Sequence, residues 1–95
     1  MRFAWDEAKN RSNQRKHRVS FETAALVFDD LRHISRLDRD VEGELRWHTI
    51  GMIKNMQVVL VAHTISESDN EEEVIRIISA RKATPQERRI YAQGE

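Results

Sequence analysis

Residues 73–91 read EVIRIISARKATPQERRIY, an aliphatic run that passes directly into the start of a helix. Val74 to Ala80 is rich in β-branched side chains and predicts a long strand. Thr84 then offers a helix N-cap, Pro85 the first helical position and Glu87 the reciprocal capping partner, so the chain closes on a helix. Two arginines interrupt this apolar pattern. Strict two-residue alternation places Arg76 with Val74 and Ile78, and Arg81 with Ile75, Ile77 and Ser79. The two are expected on opposite faces of the strand unless a bulge intervenes.

Upstream, Leu45 to Ile53 and Gln57 to Ile65 predict two further strands joined by a tight turn at Lys54 and Asn55. The acidic loop SESDNEE, Ser66 to Glu72, leads into Val74, which makes the three strands an antiparallel meander. Leu31 to Leu37 reads as an edge strand, followed by a turn at DRDVEG. At the start of the chain Phe3, Ala4 and Trp5 suggest a short strand, and Asp6 caps a polar helix that runs through Lys16. Ser20 caps a second helix whose apolar side is Ala24, Ala25, Val27 and Phe28, ending near Asp29 and Asp30. The order β-α-α-β-β-β-β-α predicts an α+β fold, one domain spanning residues 1–95, with helices packed on a small antiparallel sheet.

Composition narrows the function. Cysteine is absent, which removes disulfides, thiol nucleophiles and thiolate metal sites. The 16 basic and 16 acidic residues cancel, so no global field draws the chain to nucleic acid. The charges nevertheless fall in blocks. Met1 to Ser20 holds six basic residues against two acidic, Phe21 to Glu44 seven acidic against three basic, and Arg76 to Glu95 five basic against two acidic. A basic face and an acidic face are therefore expected. No apolar stretch approaches the roughly 20 residues of a membrane span, and MRFAWDEAKN has no apolar signal core, so a cytoplasmic location without membrane association is expected.

The polar residues inside the strands are the candidate site. Along Leu45 to Ile53, Arg46 and His48 share a face with Ile50 and Met52, while Leu45, Trp47 and Thr49 share the other. His63 alternates with Val59 and Val61. Arg46, His48, His63, Arg76 and Arg81 thus lie on adjoining strands and would converge at one end of a sheet. Such a set suits RNA cleavage, in which the 2′-hydroxyl attacks the neighbouring phosphate: a base takes the hydroxyl proton, cations hold the phosphorane and an acid protonates the leaving oxygen. Arginine forks clamp phosphate oxygens, and histidine is the side chain whose ordinary value suits proton transfer near neutral pH, which makes His17, His48 and His63 the candidates. Lys9, Asn13 and Lys16 share a helix face, either as solvated surface or as a neighbouring phosphate site. Plainer roles stand beside these: Arg81 paired with Glu87 or an acidic loop, Arg76 paired with Glu42 or Glu44, and Trp5 and Trp47 in the core. No histidine pair has metal-ligand spacing, so neither a metal nor another cofactor is expected.

Three ordered blocks, FAWDEAKNRSNQRKHRVSFETAALVFDD, GELRWHTIGMI and IRIISARKATPQERRIY, resemble the BrnT family of bacterial type II toxins. The resemblance implies a RelE-like fold, a ribonuclease activity that arrests translation, and a DNA-binding antitoxin, BrnA, that covers the toxin and with it represses their operon. Operator DNA would be reached only through that complex. The family blocks fall on Trp5, Asp6, Lys9, Asn13, Lys16 and His17, then on Gly43, Glu44 and Arg46, then on Arg76, Ser79, Arg81 and Tyr91. Two positions depart: Ser66 stands where an arginine is frequent, and Leu31 where a proline follows FDD. The resulting expectation gives Arg46 and Arg81 the phosphate, His17 or His63 the proton transfers and Tyr91 a supporting place beside Arg81. Lys9, Lys16, His48 and Arg76 would bind substrate. The alternative is a RelE-like binding module weakened in catalysis at Ser66; a DNA-binding regulator fits less well, since no helix-turn-helix or ribbon-helix-helix pattern is present.

Overall fold

The computed structural model describes residues 1–94, apart from the Asn55 side chain. In chain order the elements are β1 (Arg2–Ala4), α1 (Glu7–His17), α2 (Phe21–Ala24), a 3-10 segment (Ala25–Asp29), β2 (Ile34–Val41), β3 (Glu44–Met52), a 3-10 turn (Lys54–Met56), β4 (Val58–Glu67), β5 (Glu73–Lys82) and α3 (Pro85–Gln93). Five strands form one sheet in the order β1-β5-β4-β3-β2. β1 runs parallel to β5, and the remaining neighbours are antiparallel. This is the α+β arrangement expected from the sequence.

The helix starts follow from their caps. Asp6 accepts from the amides of Ala8 and Lys9 at 2.8 and 3.2 Å. The Ser20 hydroxyl accepts from Thr23 N–H at 3.1 Å. Thr84 and Glu87 exchange both bonds of a capping box, with Pro85 in the first turn. Each cap satisfies amides that no helical carbonyl can reach.

Several details differ from expectation, most of all at the second helix and the edge strand. The second helix tightens to 3-10 geometry after Ala24. Gly51 of β3 accounts for the close fit there: a Cβ on it would meet Val27 Cγ1 at 2.7 Å, so the 3-10 segment rests against bare backbone. The edge strand begins at Ile34, not Leu31, because Asp30 accepts from Arg32 N–H at 3.0 Å and bends the chain first. It then continues to Val41, and the turn contracts to Glu42 and Gly43, both at positive φ (52° and 87°), the requirement of a two-residue hairpin.

Both faces of the sheet are covered in part. On one, α1, α2 and the 3-10 segment bury Val19, Phe21, Ala24, Val27, Val59, Val61, Ile75, Ile77 and Ala80. On the other, α3 sets Tyr91 against Ile50, Val58, Leu60 and Ala83. α3 protects only the end of the second face that holds these residues.

β1 pairs with β5 only through Arg76, so beyond that point the outer edge of β5 needs another partner. The buried Asn13 side chain provides it. Its Nδ2 donates to the carbonyls of Ala80 (2.8 Å) and Val19 (2.9 Å), and its Oδ1 accepts from Ala80 N–H (3.1 Å). One turn earlier, Asn10 accepts from Phe21 N–H at 2.8 Å and donates to Glu22 at 2.8 Å. The two asparagines pin α1 to α2 and to β5. Asn13→Ala strands the buried Ala80 and Val19 groups, and an urea melt is expected to show a loss of about 2–4 kcal/mol.

Candidate active site

The decisive feature is a register shift in β5. Ala62 pairs with Ser79 and His63 with Ile77, so Ile78 is an extra residue without a cross-strand partner. The shift reverses parity for everything after it. Arg76 lies opposite Thr64 and Arg81 opposite Leu60, and Leu60 and Thr64 share a face of β4. Arg76 and Arg81 are therefore on the same face, contrary to simple alternation.

That face also carries Arg46 and His48. One row across the sheet reads Arg36, His48, Ala62, Ser79. On the side covered by α3 the next row is Ile34, Ile50, Leu60 and Arg81; on the open side lie the pairs Arg39 with Arg46 and Thr64 with Arg76. The cations surround His48 where the helix cover ends. A cavity of about 230 Å³ opens there between the sheet and α3, lined by Arg36, Asp38, His48, Ile50, Leu60 and Glu87 among others.

The partners of these groups differ. Arg81 makes a two-pronged bond to Glu87, at 2.8 and 3.0 Å, which ties the end of β5 to the first turn of α3. The Arg81 bond holds the Glu87 carboxyl down at about 2, and Glu87 in turn pushes the Arg81 guanidinium up. The stabilisation from this pair is present above the ordinary value of 4.5 and is lost as pH falls toward 2. Arg46 Nε lies 3.5 Å from Glu44 and, among the described residues, has no hydrogen bond although it is shielded from solvent. His48 Nε2 lies 3.5 Å from Asp38 Oδ2. Arg76 is exposed and, among the described residues, makes no hydrogen bond or ion pair.

His63 is separated from the cluster. Its ring points to the opposite face, where it is fully buried beneath the edge of Phe28 at a centroid distance of 5.0 Å. Nδ1 sits 3.3 Å from the Thr64 carbonyl and must donate to it, so Nε2 accepts the Thr49 hydroxyl at 2.6 Å, and Thr49 lies 2.7 Å from the Ser35 hydroxyl. Burial drives the His63 imidazole down to about 4. Its alternation with Val59 and Val61 was the sequence signal for this place.

The other expected residues are dispersed. Tyr91 does not pair with Arg81: its hydroxyl donates to Asp30 Oδ2 at 2.5 Å, and the same oxygen accepts Met52 N–H at 2.8 Å. Burial and the Asp30 charge both push the Tyr91 phenol up. Burial alone would raise the Asp30 carboxyl, but the bonds from Tyr91, Met52 and Arg32, with the nearby His33, pull it below the ordinary range. Asp30 is thus a junction between α3 and the end of β3, which sequence reasoning missed. His17 is half-buried in the last turn of α1, while Lys9 and Lys16 are exposed on that helix. Asn13, which its spacing put on one helix face with them as either solvated surface or a phosphate site, is a structural staple. Trp5 packs edge-on against Phe21 at 6.1 Å, as a core residue.

A β-sheet that gathers arginines and one histidine on an open face beside a helix is a fold and surface suited to an anionic ligand. The model of the family described as the ribonuclease toxin BrnT of type II toxin–antitoxin systems matches residues 5–87, and the chain belongs to this family. Among solved structures, it resembles the ribonuclease toxin BrnT of Brucella abortus, with a TM-score of 0.61 and 21% identity over 88% of this chain and 97% of that one. Comparison with curated proteins finds no match. An antitoxin partner follows from the family.

The burial of His63 sets a pH dependence. Its folded value lies below the ordinary 6.5, so the unfolded chain binds the proton first and stability falls as pH drops from about 6.5 toward 4. Unfolding free energies from urea melts at pH 7.5 to 5.5 are expected to decline, at most by about 1.4 kcal/mol per pH unit, and His63→Gln is expected to flatten that slope.

Proposed function

We propose that this chain is the toxin of a type II toxin–antitoxin pair and a metal-independent ribonuclease that stops translation and growth until a BrnA-like antitoxin covers it. The observation that carries this reading is the bulge at Ile78, which sets Arg76 and Arg81 on the face of Arg46 and His48. RNA would lie across the open part of that face. Arg46 and Arg76 would clamp the scissile phosphate, and their charges would offset the one that develops on the phosphorane. His48, the histidine in their midst, would take or give the proton, a role that falls to it because His63 is committed to Thr49 and Thr64.

Arg81 has a different part in this reading. With both prongs on Glu87 it holds α3 against the sheet and so shapes the cavity beside His48, and one guanidinium edge can turn to substrate only if that pair loosens. Lys9, Lys16 and His17, carried on α1 at the β5 edge away from that face, would add only to the general attraction of RNA and would not meet the scissile bond. Contact with operator DNA would come through the antitoxin complex. The cytoplasm, where RNA and antitoxin are both made, is the place this activity requires.

The test is induced expression in a bacterial host, with total RNA separated on a gel and the purified chain assayed with and without EDTA. Wild type is expected to arrest growth and cleave RNA equally well in EDTA. His48→Ala should reduce cleavage by about 10²–10⁴-fold and Arg76→Ala by about tenfold or more, both with unchanged melting curves. Intact RNA and normal growth from folded wild-type protein would favour a binding-only relative instead.

A further inference from the structure

The sheet forks at one end. The β3–β4 ladder stops at Trp47 paired with His63, although β3 continues to Glu44 on its β2 side and β4 to Glu67 on its β5 side. Residues 44–46 and 64–66 therefore face one another as two backbone edges that do not pair across the gap. A cleft of about 620 Å³ includes this gap, lined on its two sides by Glu44, Leu45 and Trp47 and by Thr64, Ile65 and Ser66, and extends past β4 to Val74 and Arg76 of β5 and Ala4 of β1.

Three properties of this cleft specify its occupant. Unpaired strand edges demand backbone donors and acceptors, and an extended chain supplies them on both sides at once. Leu45 and Ile65 leave 46% and 41% of their surface exposed at its mouth, and Leu37 on the same face of the sheet 53%, so apolar side chains at alternate positions would be buried there. The flanking turns are acidic, with Glu42, Glu67, Glu71 and Glu72 all exposed, which favours lysine or arginine at the ends of the inserted segment.

We infer that the fork is the docking slot for an extended segment of the antitoxin, four or five residues of alternating apolar character with basic flanks, which enters as a strand between β3 and β4. The inference rests on the toxin–antitoxin reading and adds where and how the partner binds. It also couples binding to inhibition. The alternate side chains of a strand lodged in the fork project onto the face of Arg46 and Arg76, so it obstructs the open part of the basic face without touching His48.

The test uses the full chain with the protein encoded by the adjoining antitoxin frame, and the double variant Leu45→Glu/Ile65→Glu, whose positions are exposed. The variant is expected to remain folded, to arrest growth as wild type does, and to bind the antitoxin at least tenfold more weakly, so that co-expression no longer rescues growth. In the wild-type complex, amide exchange at residues 44–46 and 64–66 should slow tenfold or more. Unchanged affinity and rescue in the double variant would overturn the slot while leaving the toxin reading intact. Weakened affinity without slowed exchange at those amides would also overturn it, since a helix resting on Leu45 and Ile65 would give that result. Wild-type protein that neither arrests growth nor binds the neighbouring product would overturn both readings.

Discussion

The structure depends on one side chain that behaves as a piece of backbone. Asn13 presents a donor and an acceptor to Ala80 in the way a neighbouring strand would, at the point where β1 has ended and β5 continues. Its primary amide has the same groups as a peptide unit, and it is carried on α1, so a helix closes the edge of a sheet. The consequence reaches the site directly. Ala80 sits between Ser79 and Arg81, two residues past the unpaired Ile78, and fixing its amide and carbonyl holds the shifted register that turns Arg81 to the face of Arg46 and His48.

The two faces of the sheet divide the work. One packs against α1, α2 and the 3-10 segment and buries its polar groups in closed pairs: Ser35, Thr49 and His63 satisfy each other beneath Phe28. The other is half covered by α3, whose position is set from both ends, by Glu87 on Arg81 and by Tyr91 on Asp30. Because α3 is braced in this way, the rows beyond Leu60 stay open, and it is there that the cations collect. Net neutrality and local basicity coexist because the acidic residues concentrate at the β2–β3 and β4–β5 turns.

Much of the architecture was legible in the sequence. Asp6, Ser20 and Thr84 announced three helix starts through side chains whose capping chemistry is local, and the aliphatic runs around Val61 and Ile77 announced the central strands. Features set by contacts distant in sequence were not. Alternation in residues 74–81 cannot reveal that Ile78 is skipped, since a bulge depends on what the partner strand offers. Asn10 and Asn13 looked like any polar helix surface, because nothing nearby in sequence shows the backbone groups they meet. Asp30 likewise read only as the end of a helix. Of the candidate site, Arg46 and His48 were placed by parity on the face they occupy; His63 was placed on an apolar parity, and its depth beneath Phe28 required the tertiary fold.

The pairing of β1 with β5 has a consequence in time. Arg2 meets Val74 and Asn13 meets Ala80, so β1 and α1 are made well before the strand that partners them. The β3–β4 and β4–β5 hairpins can form while the chain is still emerging, but α1 has no edge to close until β5 exists. The basic face is therefore in finished form only once β5 and α3 have been made, since the register that orients Arg81 lies in β5 and the helix that frames His48 follows it. Folding order thus acts as a delay on the appearance of the assembled site, written into topology and independent of any second protein.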